Sequence, residues 1–302
     1  MLKRVFLFVL TNIAIMAMVS IVLAVLGQLG VLDLAGGQGT LLIYCAIWGF
    51  GAAFVSLLLS RKMAKWSLGV RLVGPENPSP EAQWLYGTVS RLAQAANLPM
   101  PEVGIYDSPE VNAFATGPSK KRSLVAVSSG LFRSMDHQEI EGVLAHELTH
   151  VANGDMVTMT LIQGVVNAFV LYLAHVVAAI VRGALSSRDE AGRGSSFLGV
   201  IVGQVVFFAA QIVFGLLGSM VTAWFSRRRE FRADAGGASL AGSGSMIAAL
   251  RRLLASQGRV DTAHRELATL KISGVPRFGV LFSTHPPLEE RIAALEGRNS
   301  IR

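Results

Sequence analysis

Charge is what this chain has least of. Asp, Glu, Lys and Arg make up 16% of its 302 residues, against roughly a quarter in soluble globular domains. The shortage is concentrated: residues 5–32, 34–60, 156–181 and 194–226 carry no charged side chain. Each run exceeds the roughly 20 residues that cross a bilayer core, which excludes an ordinary soluble protein. Cysteine is nearly absent too. Cys45 is alone, so an internal disulfide and a cysteine-built zinc site are excluded, and the thiol reads as packing. His175 is the only histidine or charged residue within the four runs. A metal transporter would want such groups in pairs.

The runs predict four transmembrane helices, at about 5–26, 40–60, 157–181 and 197–225. A cleaved signal peptide is the alternative for the first, but its apolar stretch is longer than the usual signal core. A hairpin buried in a globular core is the alternative for the last two. Gln163, Asn167, His175, Gln204 and Gln211 lie within those two. Such groups are expected to face other helices, His175 through an interhelical hydrogen bond. Lys3 and Arg4 precede the first span, Arg61, Lys62 and Lys65 follow the second, and Arg227, Arg228 and Arg229 follow the fourth. The loop between the first two spans has neither Lys nor Arg up to Thr40. The positive-inside rule then puts both termini and the segment between the second and third spans on the cytoplasmic side. The 182–196 loop, with Arg182, Arg188 and Arg193 against Asp189 and Glu190, votes most weakly. The net charge of +7 is explained by these border clusters, which meet anionic headgroups. Nothing resembles a nucleic-acid module, and no nucleic-acid partner is expected.

Against this background stands His146-Glu-Leu-Thr-His150. Two histidines at i and i+4 share one helix face and can hold one zinc ion. The intervening Glu147 falls near the open side of the metal, where it can take a proton from an activated water. With six His and thirteen Glu in the chain, a chance match is expected in only roughly half a per cent of such sequences. Asp136 and Glu139 spell a capping box before it, Val143, Leu144 and Leu148 a buried stripe, and Asn153-Gly154 a stop. The spacing predicts a helix over 137–152.

Two histidines leave zinc short of a third protein ligand, and in one class of hydrolases that ligand is a Glu from a second helix. Glu230 is the best candidate. Asp234, one turn on, could accept a hydrogen bond from a ligand imidazole. The alternative for Glu230 is a surface carboxylate neutralising Arg227–Arg229. Elsewhere, Ser79-Pro80 opens a helix running to about Asn97. Strands are expected at 69–74, 102–106, 113–115 and 124–127, and helices at 227–240, 245–256 and 288–297. His137 should be exposed at the start of the active helix, and His264 lies in a mixed polar helix.

These residues resemble a family. The H-E-x-x-H motif with Asn153-Gly154-Asp155, then Glu230-Phe-Arg-Ala-Asp234 and Thr284-His285-Pro-Pro-Leu288 leading to Arg291-Ile292, are similar to the HtpX membrane metalloproteases, relatives of the CAAX prenyl proteases. Trp66-Ser-Leu-Gly-Val-Arg71, Asn112-Ala-Phe-Ala-Thr-Gly117 and the number and order of membrane segments match as well. The resemblance covers nearly the whole chain. It implies a zincin-like α+β domain, mostly helical with a small sheet, and one zinc ion per chain. It implies that Asn112, Ala113 and Phe114 hold substrate backbone as an added strand, and that His285 and Arg291 stabilise the oxyanion. On the residues alone, a turn for Asn112 and a satisfied loop histidine for His285 stay open.

The expectation is therefore a membrane hairpin at 1–60, a metalloprotease domain split between 61–156 and 227–302, and a second hairpin at 157–226. The implied activity is a zinc endopeptidase of a bacterial inner membrane. Catalytic Glu147, His285 and Arg291 would act beside a metal held by His146, His150 and Glu230, on misfolded or damaged membrane proteins and other unfolded polypeptides. This reading leaves room for a homo-oligomer. A dedicated processing protease is the nearest alternative. A catalytically idle zinc-containing adaptor would have no need of Glu147.

Overall fold

The computed structural model describes residues 38–186, 195–263 and 282–299. The first expected span and His264 lie outside them. The chain divides into two units, one formed by the chain up to Ser56 with Thr160–Thr222, the other by Leu57–Met159 with the chain from Ala223 onward.

The first unit is made from long apolar helices. Among the described residues three are long and apolar enough to cross a membrane: α1 (Gln38–Leu68), α5 (Asp155–Ser186) and α6 (Ser195–Ala241). Leu161, Phe169, Ile180, Val205, Ile212 and Leu216 on them are exposed. In water each such side chain would forgo about 1.5–3 kcal/mol of burial. A hairpin inside a globular core would bury them, so that alternative falls and a bilayer is the solvent these helices require.

Two polar sites in these helices make bonds along their own helix. Among the described residues the Gln163 amide donates to Asn167 Oδ1 at 2.7 Å along α5, an i and i+4 pair on one helix face. His175 makes no interhelical hydrogen bond among the described residues. Its Nδ1 donates to the Leu171 carbonyl one turn back, at 2.8 Å.

The second unit carries the sheet. β1 (Arg71–Val73), β2 (Glu102–Tyr106), β3 (Ala113–Ser119) and β4 (Arg122–Ser128) form a four-stranded sheet in the order β1-β2-β4-β3. β2 and β4 are parallel, pairing Val103 with Val125. β1 and β3 are antiparallel edges, pairing Leu72 with Gly104 and Phe114 with Ala126. Central β4 is buried from Ser123 to Ser128, as a strand covered on both faces must be.

Helix α2 (Pro80–Ala95) starts where Ser79 accepts from Ala82 N–H and Pro80 takes N1. It buries Leu85, Val89 and Leu92 in one core with Val125 and Val127 of β4 and Leu144 and Leu148 of α4 (His137–Asn153). The short α3 (Ser129–Ser134) precedes α4, while α7 (Ser243–Ala263) and α8 (Leu288–Asn299) complete the unit. His137 is exposed and stacks on Trp84 with ring centroids 4.0 Å apart.

The chain does not break at 226, where the hydropathy changes. α6 runs on through Glu230 and Asp234 to Ala241 as one helix. The switch from apolar to polar residues marks a change of surroundings, and no Pro lies there to end the helix.

A candidate metal centre

The metal helix is α4, and both its ends are pinned. Asp136 accepts from Glu139 N–H at 2.8 Å, and Glu139 Oε2 accepts from Asp136 N–H at 3.0 Å. Arg252 of α7 adds a bond from its Nε to Glu139 at 3.0 Å. At the other end Gly154 adopts φ 69°, a left-handed turn that glycine takes without strain. Asp155 follows immediately and opens α5. α6 can lie close to α4 because residue 237 is glycine. A Cβ there would sit 3.1 Å from His146 N and 3.0 Å from Met246 Sδ.

That close approach brings the three ligand candidates together. One donor atom each from His146, His150 and Glu230 lies within 4.8 Å of the others, and all three residues are buried. His146 Nδ1 meets Asp234 Oδ1 at 2.9 Å, and His150 Nδ1 meets Asp155 Oδ2 at 2.7 Å. A carboxylate accepts, so each Nδ1 carries the proton and each Nε2 presents its lone pair inward. The two Nε2 atoms are 3.1 Å apart, and they lie 3.4 and 3.3 Å from the Glu230 oxygens. Glu230 is fully buried, and its Oε1 has no hydrogen-bond partner among the described residues. Converging lone pairs require a cation. Ligands about 2.0–2.1 Å from a tetrahedral ion are separated by roughly 3.3 Å, so the donor set fits a metal. A proton competes for the same place. Burial disfavours the charged form of His150, but Asp155 and Glu230 outweigh it and raise its pKa to about 9. For His146 too, burial is outweighed by Asp234 and Glu230, and its pKa is raised.

Glu147 is half-buried beside the ligands, and its Oε2 accepts from the Ala115 N–H of edge strand β3 at 2.8 Å. A cavity of about 660 Å³ opens over this group. His146, Glu147, Glu230, His285 and Arg291 line it with Asn112 and Ala113, and Leu131, Val143, Met246 and Leu250 line it with apolar surface. Arg291 is buried and grips Asp234 with two bonds, from Nε at 2.7 Å and from Nη2 at 2.6 Å. His285 is exposed and donates from Nδ1 to Glu230 Oε2 at 2.9 Å. Phe114 departs from the group: strand alternation turns its side chain to the opposite face, beside Tyr106, Leu124 and Ala126. The role expected of Phe114 is one of its backbone, on which the direction of its side chain has no bearing.

Asp155 is the functional residue that sequence reasoning misses. It is buried, and it orients a ligand histidine. The signal was present as an acid five residues beyond His150, hidden in a stretch that reads as a turn. Asp155→Ala should weaken metal affinity by about 10–100-fold, while Asp155→Asn, which keeps an accepting oxygen, retains most of it. Competition against a chromophoric chelator measures this, and an unchanged affinity in Asp155→Ala would remove Asp155 from the site.

A base beside a three-ligand metal position, with an open strand edge alongside, is equipment for activating water against a backbone carbonyl. Fold and site together define a metallopeptidase, and its long apolar helices make it a multi-pass membrane protein. The chain belongs to peptidase family M48, whose family model matches residues 79–299. It is 51% identical to protease HtpX of Shewanella oneidensis over 297 residues, 98% of this chain and 100% of that one. It is 50% identical to protease HtpX of Xanthomonas oryzae pv. oryzae over 301 residues, 99% of each. Among solved structures, S. mikatae Ste24p shares the fold at a TM-score of 0.59 and 19% identity. The match covers 84% of this chain and 58% of that one.

Proposed function

We propose that this metallopeptidase is a zinc endopeptidase that cuts misfolded or damaged membrane proteins on the cytoplasmic face of a bacterial inner membrane. The observation that carries the reading is the bond between Ala115 of edge strand β3 and Glu147, which ties a strand-docking edge to the base. His146, His150 and Glu230 would hold one zinc ion per chain. Bound there, zinc supplies Lewis acidity to a water and to the scissile carbonyl.

The protein residues do the rest. Backbone of Asn112, Ala113 and Phe114 registers the substrate as an added strand. Glu147 removes a proton from the attacking water and returns it to the leaving amine. His285 and Arg291, both lining the cleft, place donors near the developing oxyanion, Arg291 adding its positive charge while holding Asp234 in place. Asp234 and Asp155 keep the ligand rings oriented.

The apolar wall of Leu131, Val143, Met246 and Leu250 favours a large apolar side chain next to the scissile bond. Unfolded membrane proteins supply such residues densely. Mapping the cleavage ends of casein and of an unfolded membrane protein should show that enrichment. A single sequence cut in one substrate and none in the others would instead favour a dedicated processing protease.

Placement on the cytoplasmic face rests on the distribution of Lys and Arg. A reporter fused after Arg302, or inserted between Arg61 and Met156, should read as cytoplasmic, and one near Gly36 as external. An external reading from the C-terminal fusion contradicts the topology.

A further inference from the structure

A second cavity, of about 410 Å³, lies wholly within the unit of apolar helices, among α1, α5 and α6. Its walls are aromatic, from Tyr44, Trp48, Phe207 and Phe208. Set into them are His175, Arg182, Gln204 and Gln211, and among the described residues no carboxylate lines the cavity. A histidine within a membrane helix is costly and generally marks a bound partner or a polar path, and Arg182 stands at the membrane border just past the expected span.

Three details show what the cavity is prepared to receive. The Arg182 side chain is laid along α6 over Gly203: a Cβ at 203 would fall 2.5 Å from Arg182 Cδ. The Arg182 side chain thus reaches the cavity across the strip of α6 that Gly203 leaves clear. The Trp48 indole Nε1 is buried and has no hydrogen-bond partner among the described residues, an unmet donor of the kind that proteins normally pair. The His175 ring is held edge-on between Tyr44 at 6.3 Å and Phe207 at 4.5 Å. Its Nδ1 is used by the Leu171 carbonyl, which leaves Nε2 for a ligand.

The inventory is a guanidinium, an indole N–H and two amides against one imidazole nitrogen. It matches an anion that carries hydroxyl groups, and the aromatic walls match hydrocarbon. We propose that this cavity binds the headgroup of an anionic phospholipid bearing a polyol, with phosphatidylglycerol as the simplest example. Arg182 pairs with the phosphodiester and Trp48 donates to it. The amides and His175 Nε2 engage the glycerol hydroxyls. The acyl chains lie along the exposed apolar faces of α5 and α6. This site is separate from the peptidase cleft, and its occupancy does not depend on how peptides are cut.

The test uses the full chain in dodecyl maltoside. Native mass spectrometry reads retained lipid, and thermal unfolding is followed with added phosphatidylglycerol, phosphatidylcholine or inorganic phosphate. Wild type should retain anionic phospholipid and be stabilised by phosphatidylglycerol well beyond the effect of phosphatidylcholine, with no response to inorganic phosphate. Arg182→Gln should weaken the phosphatidylglycerol response by about tenfold in lipid concentration, and the conservative Trp48→Phe by less. Retained casein cleavage certifies that both variants are folded. Three results overturn the proposal: both variants keeping the wild-type response, phosphatidylcholine working as well, or inorganic phosphate reproducing the shift, which would make the ligand a free anion.

Discussion

Glu147→Gln should abolish peptide hydrolysis, with a fall of at least about 10³-fold in turnover, while zinc content stays at the wild-type level. The two halves of this expectation have different physical origins. Glu147 is outside the group of three ligand candidates, so the metal should not depend on it; what is lost is the carboxylate that moves the proton. The fold should be indifferent. Glutamine keeps an oxygen where Glu147 Oε2 accepts from Ala115 N–H, so edge strand β3 stays fastened to the metal helix. Cleavage assays paired with metal analysis of the same sample read both halves. Wild-type turnover in the variant would sink the mechanism, and lost zinc would move Glu147 into the ligand set.

The second large effect is on the metal itself. Glu230→Ala should lower zinc affinity by roughly 10³-fold, as expected when one of three protein ligands in a site of this strength is removed. His146→Ala and His150→Ala should do the same. Glu230 is fully buried, and its oxygens face both ligand histidines, His285 and the Arg291 guanidinium. Its removal therefore leaves the metal position with two imidazole ligands and no carboxylate ligand, while the Arg291 guanidinium loses one of its two carboxylate neighbours. Stoichiometric zinc at unchanged affinity in Glu230→Ala, read by chelator competition, would disqualify it as the third ligand. Metal uptake at this site should also depend on pH. His150 has a raised pKa, so a proton occupies the site below about 9. Zinc must displace it, so uptake at neutral pH should release protons and weaken as pH falls.

The metal helix is legible in the sequence from end to end, because every signal that bounds it is local. Asp136 and Glu139 form the box that their spacing spells, and Gly154 makes the left-handed stop. Val143, Leu144 and Leu148 are the buried stripe. The same holds for the Ser79-Pro80 helix start and for β2, which spans Glu102–Tyr106 as expected.

What could not be read depends on non-local geometry. Whether Glu230 was a ligand or a counter-ion to its arginines turned on burial, which an E-x-x-x-D spacing does not carry. The orienting role of Asp155 depends on a turn that folds it back on His150. The direction of the Phe114 side chain was readable: period-two alternation already separates it from Ala113 and Ala115.

One titration tests the central claim most directly. Protein stripped by chelator and returned to metal-free buffer should have no peptidase activity. Added zinc should restore activity linearly and stop at one equivalent per chain, with Glu147→Gln taking up the same equivalent and gaining none. Activity that persists in verified zinc-free protein, or that keeps rising to a second equivalent, would contradict a single zinc held by His146, His150 and Glu230 as the catalytic centre.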